Sequence, residues 1–298
     1  MNVNNLILDG QNIEFKGFST LYGKTRTNSS GQRVECVDKF LSTVRVLIER
    51  FSPDNIYIAW DKRLIREASN FRKDELDGGY KAGRVMPTGI QEMFDQEPLL
   101  LQALDALGVR NVYPRVLEAD DVISWLSREL HGINVIVSSD QDMYQLVNER
   151  VYVFDKQELL TLENFVERVG VSPENYKLYK AIKGDNSDNI EGLPGFAKKR
   201  SAKLAENWDK SVVSDEYKAI VQRNMRLMDL DTGFNREPGE VESYIEQLEQ
   251  QEQKTRNWEK FRHLCNTHEL KAISTKPSTW KNYCSKNSLI DVISRLSI

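Results

Sequence analysis

Acidic residues recur in this chain at places where a carboxylate is hard to keep without a cation. Residues 117–142 open on Glu118-Ala119-Asp120-Asp121 and close on Asp140-Gln141-Asp142. Between them lie a helical apolar face (Val122, Ile123, Leu126, Leu130) and the short apolar run Val135-Ile136-Val137. Asp9 follows Leu6-Ile7-Leu8, and Asp61 follows Ile56-Tyr57-Ile58-Ala59-Trp60. Asp185 and Asp188 sit in Lys183-Gly184-Asp185-Asn186-Ser187-Asp188-Asn189. Like charges ~4 Å apart repel by on the order of 4 kcal/mol at an effective dielectric of 20, so convergence of several such acids demands cations. Oxygen ligands without His or Cys select Mg²⁺ or Mn²⁺ over zinc. Two such ions roughly 4 Å apart activate a water, hold a scissile phosphate and stabilise the departing oxygen, with no protein nucleophile. Local structure competes for some of these acids. Asp9-Gly10 is also a turn-forming pair, and carboxylates at the start of a helix are favoured by its dipole. One cap accounts for one acid, however, and not for three.

The elements that must position these acids follow from periodicity. Leu6-Ile7-Leu8, Ile56 to Trp60, Val135 to Val137 and Val151-Tyr152-Val153-Phe154 read as short buried strands, and acids follow the first three, at once in the first two and after two serines in the third. Val37, Phe40, Leu41, Val44, Leu47 and Ile48 recur at helical spacing. Met93 to Leu107 predicts one or two helices with Pro98 at a break or first turn, ending at Gly108. A short helical run follows Asp142, and another helix begins at about Thr161. Alternation of strands and helices predicts a mostly parallel, three-layer α/β domain, in which strand carboxyl ends are the usual place for chemistry.

Two segments are basic. Between residues 62 and 84, seven basic side chains (Lys62, Arg63, Arg66, Arg72, Lys73, Lys81, Arg84) face four acidic ones, with Phe71 and Tyr80 among them. A long basic insertion directly after a candidate catalytic acid suits phosphate capture, although a solvated loop is the ordinary explanation of a charge run. Lys81 and Arg84 are the best placed to neutralise charge developing on a phosphate. Between 177 and 203, seven basic residues face three acidic ones around Gly192-Leu193-Pro194-Gly195 and the helical run from Ala197 to Leu204. A Gly-x-x-Gly turn before a helix exposes backbone amides that can hold phosphate oxygens without reading sequence. Lys198, Lys199 and Arg200 strengthen that reading over a plain turn.

Composition bounds the rest. The 298 residues are 40% hydrophobic with a net charge of −4, enough apolar content for a real core. The mild acidity does not exclude nucleic acid, because an average hides sorted patches. Three widely spaced cysteines (Cys36, Cys265, Cys284) suggest thiols in a reducing interior. No signal peptide or membrane span is legible, so a cytoplasmic protein without a membrane partner is expected. His263, Cys265 and His268 match no zinc spacing.

Taken in order, Asp9-Gly10, Asp61, Tyr80-Lys81-x-x-Arg84, Glu118-Ala-Asp-Asp121, Asp140-x-Asp142 and Gly184-Asp-x-x-Asp188-Asn189 resemble the motifs of the 5′-nuclease family. That family includes phage flap endonucleases and the 5′ to 3′ exonuclease domain of bacterial DNA polymerase I, and the resemblance covers roughly residues 5–210. It implies a PIN-like or resolvase-like α/β fold with a mostly parallel central sheet flanked by helices. Residues 1–173 would form the metal-dependent nuclease domain, with 62–98 as a helical arch that admits a single-stranded 5′ end. Residues 174–298 would form a helical duplex-binding domain, with a helix-three-turn-helix motif near 183–205.

The resemblance further implies two Mg²⁺ ions, with Mn²⁺ as a substitute, on Asp9, Asp61, Glu118, Asp120, Asp121, Asp140, Asp142, Asp185 and Asp188. Lys81 and Arg84 would meet the reacting phosphate. Arg72, Tyr80, Gly192, Gly195, Lys198, Lys199 and Arg200 would contact DNA, and a K⁺ would sit near Gly192 to Gly195. The expected activity is structure-specific cleavage of branched, flapped or nicked duplex DNA and RNA–DNA hybrids. It would serve replication or repair alongside replication proteins, from a monomer in a bacterial or phage-infected cytoplasm. One departure stands out: where the family carries Gly-x-Gly-x-Lys-Thr, this chain has Gly195-Phe196-Ala197-Lys198-Lys199-Arg200. The competing class is a catalytically idle scaffold for branched DNA, which would be expected to have lost acids or the Lys81 and Arg84 pair. A small RNA-cleaving nuclease would not need the basic second half.

Overall fold

The computed structural model describes residues 3–21, 24–61, 71–76, 79–81 and 88–296, with side chains as far as 286. Arg84 and part of the expected arch, at 62–70, 77–78 and 82–87, lie outside the described residues.

Six strands form one sheet: β1 Asn5–Asp9, β2 Asn55–Ala59, β3 Arg110–Val112, β4 Asn134–Val137, β5 Val151–Asp155 and β6 Glu158–Leu160, in the order β3-β2-β1-β4-β5-β6. The first five are parallel, and β6 turns back antiparallel on β5. Lys156 and Gln157 make that two-residue turn with φ +48 and +70, the left-handed pair that matches strand twist in a tight hairpin. Strand order reverses beside β1, which pairs with β2 on one side and β4 on the other. In a parallel sheet a crevice opens there, at the strands' carboxyl ends.

Both sheet faces are covered, which explains why the strands read as continuous apolar runs. Leu6 and Leu8 of β1, Ile56 and Ile58 of β2, and Val135 and Val137 of β4 enter one core, and Ile7, Tyr57, Ala59 and Ile136 enter the other. The first core is closed by α2 Glu35–Phe51 and, after α3 Phe71–Glu75 and α4 Ile90–Phe94, by α5 Glu97–Ala106. α1 Gly10–Thr20 leaves β1 directly. A side chain at Gly10 would come within 2.6 Å of the Trp60 ring, so glycine is required for this close approach. The second core is closed by α6 Ala119–Glu129 and α7 Leu162–Val169.

Beyond the sheet, α8 Tyr176–Lys183 and α9 Lys198–Glu206 flank a minimal hairpin of β7 Gly184–Asp185 and β8 Ile190–Glu191. Its crossing is tight. A Cβ on Gly184 would lie 2.3 Å from the Gly192 nitrogen, and one on Gly192 would lie 2.2 Å from the Lys183 carbonyl oxygen. α10 Asp215–Met228 packs on α8, where Asn224 donates to the carbonyls of Ala181 and Glu191 at 2.9 and 2.7 Å. α11 Glu240–Glu249 follows, then α12 Trp258–Thr267 and α13 Pro277–Leu296. The last two return to the first core, with Phe261, Cys265, Trp280 and Tyr283 packed among the residues of α2 and α5. Both cores thus draw on residues before and after 173. Among the described residues no helix is long and apolar enough to cross a membrane.

Candidate active site

The carboxyl edge of the sheet gathers acids from separate elements. Asp9 ends β1 and caps α1, its Oδ1 accepting from the Asn12 amide at 3.0 Å and its Oδ2 from the Ser138 hydroxyl at 2.8 Å across the β1/β4 crevice. Burial, reinforced by the charges of Asp61 and Asp140 and partly offset by those two hydrogen bonds, pushes the Asp9 carboxyl up to about 6. Asp61, two residues past β2, accepts from the Ala119 amide at 2.7 Å, and burial together with Glu118 raises it. Asp120, in the first turn of α6, is raised well above the carboxylate range by burial and by Asp140 and Asp9. Asp140 caps the short 3₁₀ turn after β4, accepting from the Asp142 amide at 2.8 Å.

A second group forms where residues 79–81 meet the β7–β8 hairpin. Lys81 Nζ donates to Glu118 at 2.7 Å and lies 3.9 Å from Asp188. The Tyr80 hydroxyl donates to Glu118 at 2.9 Å and to Asp188 at 3.2 Å. Burial would raise Glu118, but Lys81 and Arg72 overcome it and hold the carboxyl down to about 2. Burial likewise opposes the charge on Lys81, and Glu118, Tyr80 and Asp188 outweigh it, so its ammonium is held well above the usual range. Lys81 and Asn189 both adopt left-handed backbone, φ +54 and +58. Their segments are tied by Lys81 N to Asp188 O at 3.3 Å and Asn189 Nδ2 to Gly79 O at 2.9 Å.

A third group centres on Lys180, which sequence reasoning had counted only as part of a basic surplus. Its Nζ bridges Asp142 at 2.6 Å and Asp185 at 2.7 Å. Burial still leaves Asp142 raised despite Lys180, with Asp140 adding to the effect. Asp185 is half-buried, and Lys180 and Ser187 overcome that burial to hold it at about 2. The only sequence signal for Lys180 is its spacing one helical turn before the Gly184-Asp185 pair.

Three expected site residues are engaged in contacts within the chain. Arg72 was expected on DNA and Asp121 on metal. Instead they form a bidentate ion pair, both distances 2.7 Å, with relative exposures of 2% and 0%. Arg72 also donates to the Leu227 carbonyl of α10 at 2.8 Å, so its planar fork ties α3, α6 and α10 together. Tyr80, also expected on DNA, is buried with its hydroxyl turned to Glu118 and Asp188. Gly192 serves the hairpin crossing, whereas Gly195, Lys198, Lys199 and Arg200 are exposed at the start of α9.

The acids therefore form three neighbouring groups rather than one cluster. Among the described residues no three His, Cys, Asp or Glu side chains gather as one metal-binding group. Lys81 and Lys180 stand between carboxylates instead. The donor set still fits hard divalent cations: it is all oxygen, and burial together with neighbouring carboxylates raises Asp9, Asp61 and Asp120, none of which is hydrogen-bonded to an ammonium among the described residues. A cation would relieve that repulsion.

This fold matches known proteins. The family model described as the 5′-3′ exonuclease, N-terminal resolvase-like domain matches residues 4–170. The chain is 32% identical over 207 residues to the thermostable DNA polymerase I of Thermus aquaticus, covering 68% of this chain and 24% of that protein. It is 34% identical over 215 residues to DNA polymerase I of Caldicellulosiruptor bescii, with 68% and 24% covered. The aligned region thus spans about a quarter of the length of these relatives. Among solved structures, the bacteriophage T5 D15 protein co-crystallised with metal ions superposes with a TM-score of 0.67 at 21% identity, over 83% of this chain and 98% of that one. The T5 D15 flap endonuclease in complex with DNA and metal ions gives 0.65 at 22%, over 84% and 100%. At these identities the likeness is one of fold. The mostly parallel sheet flanked by helices and the match over residues 4–170 define a resolvase-like class of protein. Within it, the chain belongs to the 5′-nuclease family, as the match to the 5′-3′ exonuclease domain over more than half its length establishes.

Proposed function

We propose that the chain is a structure-specific 5′-nuclease, a 5′ to 3′ exonuclease and flap endonuclease that hydrolyses phosphodiester bonds near single-strand/double-strand junctions. One observation carries this reading. Asp9, Asp61 and Asp120, from three different segments, are each raised by burial and by neighbouring carboxylates at the sheet's carboxyl edge, with Lys81 paired to Glu118 on one side and Lys180 to Asp142 and Asp185 on the other. Acids that structure alone explained would be paired as Asp121 is with Arg72.

Asp9, Asp61, Glu118, Asp120, Asp140, Asp142, Asp185 and Asp188 would hold two divalent ions. Mg²⁺, or Mn²⁺ in its place, would supply an activated water and charge stabilisation for the leaving oxygen. Lys81 and Arg84 would neutralise charge on the reacting phosphate, the Tyr80 hydroxyl holding Glu118 and Asp188 in place meanwhile. The start of α9, with Gly195, Lys198, Lys199 and Arg200, would grip duplex phosphates through backbone amides and charge. A K⁺ near Gly192 to Gly195 would assist that grip, with Ala197 in place of a glycine restricting backbone approach there. Because Asp185 and Asp188 lie between α8 and α9, duplex grip and metal site would be one rigid unit. The substrates proposed are branched, flapped or nicked duplex DNA and RNA–DNA hybrids, handled by a monomer in the cytoplasm beside replication proteins.

The test is cleavage of end-labelled 5′-flap, nicked and blunt duplexes with Mg²⁺ and with chelator. Product from flap or nicked substrate that disappears with chelator is expected. No product from any substrate would leave the scaffold reading in its place.

A further inference from the structure

The segment that delivers Glu118 is held by a helix more than 120 residues further along. Glu240, at the first position of α11, is fully buried. Its Oε1 accepts from the amides of Arg115, Val116 and Leu117 at 3.0, 2.6 and 3.3 Å, and its Oε2 from Arg115 at 3.0 Å. Three successive N–H groups closing on one carboxylate form a concave anion nest, here filled from within the chain. The next residue is Glu118, which opens α6, and the one after it gives its amide to Asp61.

The same helix and its following turn continue the hold upstream. Gln247 exchanges both amide hydrogen bonds with the Tyr113 backbone, at 2.9 and 2.8 Å, and Gln251 does so with Asn111, at 3.0 and 2.8 Å. Residues 111 and 113 are the alternate positions that a neighbouring strand would pair. Two glutamine side chains thus occupy the free edge of β3 in place of another strand, as an edge requires covering. Tyr244, one turn after Glu240, packs on Trp125 of α6 with ring centroids 5.3 Å apart. The path from Asn111 to the first turn of α6 is therefore fixed from outside the 4–170 region that the family model covers.

We propose that Glu240 is a positioning residue for the carboxylates at the start of α6. Its nest fixes the backbone of 115–117 and thereby the approach of Glu118 and Asp120 to a divalent ion. This rests on the nuclease reading for its catalytic consequence, but not for its structural half. Partners one shell behind a metal ligand typically change metal affinity 10–100-fold when lost. Glu240→Gln keeps the shape and turns an acceptor into an NH₂ group facing three N–H donors. Glu240→Asp keeps the charge and shortens the reach.

The experiment measures three quantities on the full chain. Hydrogen exchange of the 115–117 amides, in chelator, should accelerate in the order wild type, Glu240→Asp, Glu240→Gln. Mn²⁺ affinity by titration should fall about tenfold or more in Glu240→Gln. Flap cleavage should lose kcat by a similar factor with KM unchanged, because no duplex contact is altered. Wild-type Mn²⁺ affinity and kcat in a folded Glu240→Gln variant would overturn the proposal, as would unchanged amide protection. If Glu240→Gln does not fold, Glu240→Asp is read by the same criteria with smaller expected changes. A wild-type chain that binds Mn²⁺ without cleaving any flap would sink the nuclease reading and leave the positioning claim to the exchange and titration results.

Discussion

Two stretches of one acidic edge behave in opposite ways. At the β1/β4 crevice Asp9 is pushed up to about 6, whereas 185, on the β7–β8 hairpin, holds an aspartate brought down to about 2. The residue type is the same and both sites are substantially desolvated. The difference is the partner: Asp9 has Ser138, an amide and two other carboxylates nearby, while Asp185 has the Lys180 ammonium at 2.7 Å. Burial penalises a charge everywhere, and at Asp185 the fixed opposite charge, helped by the Ser187 hydrogen bonds, reverses the outcome. The crevice therefore stores repulsion that a cation can relieve, and the hairpin side already carries its own.

The largest effects that could break this comparison are catalytic. Asp142→Asn and Asp185→Asn should each abolish cleavage, by roughly a thousandfold or more, as loss of an ion that stabilises a developing charge costs several kcal/mol. Filter binding to flap DNA should change little. Retained turnover in either variant would remove the hairpin side from the active site.

Next in size is the buried pair that supports both stretches. Arg72→Met leaves Asp121 charged and enclosed, and should destabilise the fold by about 3–5 kcal/mol. Urea denaturation checks this. A double variant Arg72→Met with Asp121→Leu should recover most of the loss, because an apolar pair of similar volume often replaces a buried ion pair without cost.

The pH dependence sharpens the contrast, with opposite signs on the two sides. An acid whose folded pKa is raised binds protons better when folded. Asp9 should thus make the chelator-treated protein lose stability as pH rises from about 4 to 6. Asp9→Asn should melt higher than wild type at pH 7 and converge with it near pH 4. Asp185 works the other way: its stabilisation is complete above the ordinary carboxylate pKa and disappears as pH falls toward about 2. Calorimetric melts of both Asn variants across pH 2–7 would show whether the two curves diverge in these directions.

The smallest expected effect lies furthest from the crevice. Lys199→Ala, at the exposed start of α9, should weaken duplex binding modestly and reduce the magnitude of the salt slope by about one. An unchanged slope would take α9 out of the DNA interface.

Much of this architecture is legible in the chain itself. Strands β1, β2, β4 and β5 appear as apolar runs because both faces of a parallel sheet are buried, and acids at their ends mark the sheet's carboxyl edge. β3 was not legible: Arg110–Val112 is three residues long, two of them polar, and its edge is covered by glutamine side chains from α11 and the turn after it. β6 is equally short and opens on an exposed glutamate.

The sequence by itself determined which residue types reach the carboxyl edge and in what order, since apolar periodicity and turn chemistry are local properties. Only the tertiary structure decided which of those acids meets a cation. Arg72 finds Asp121 across 49 positions, Lys180 bridges acids on either side of it, and Glu240 spends its charge on three backbone amides rather than on an ion. A carboxylate looks the same in every sequence context. What separates a ligand from a structural ion pair is the charge brought beside it by elements distant in the chain, and that is settled by packing.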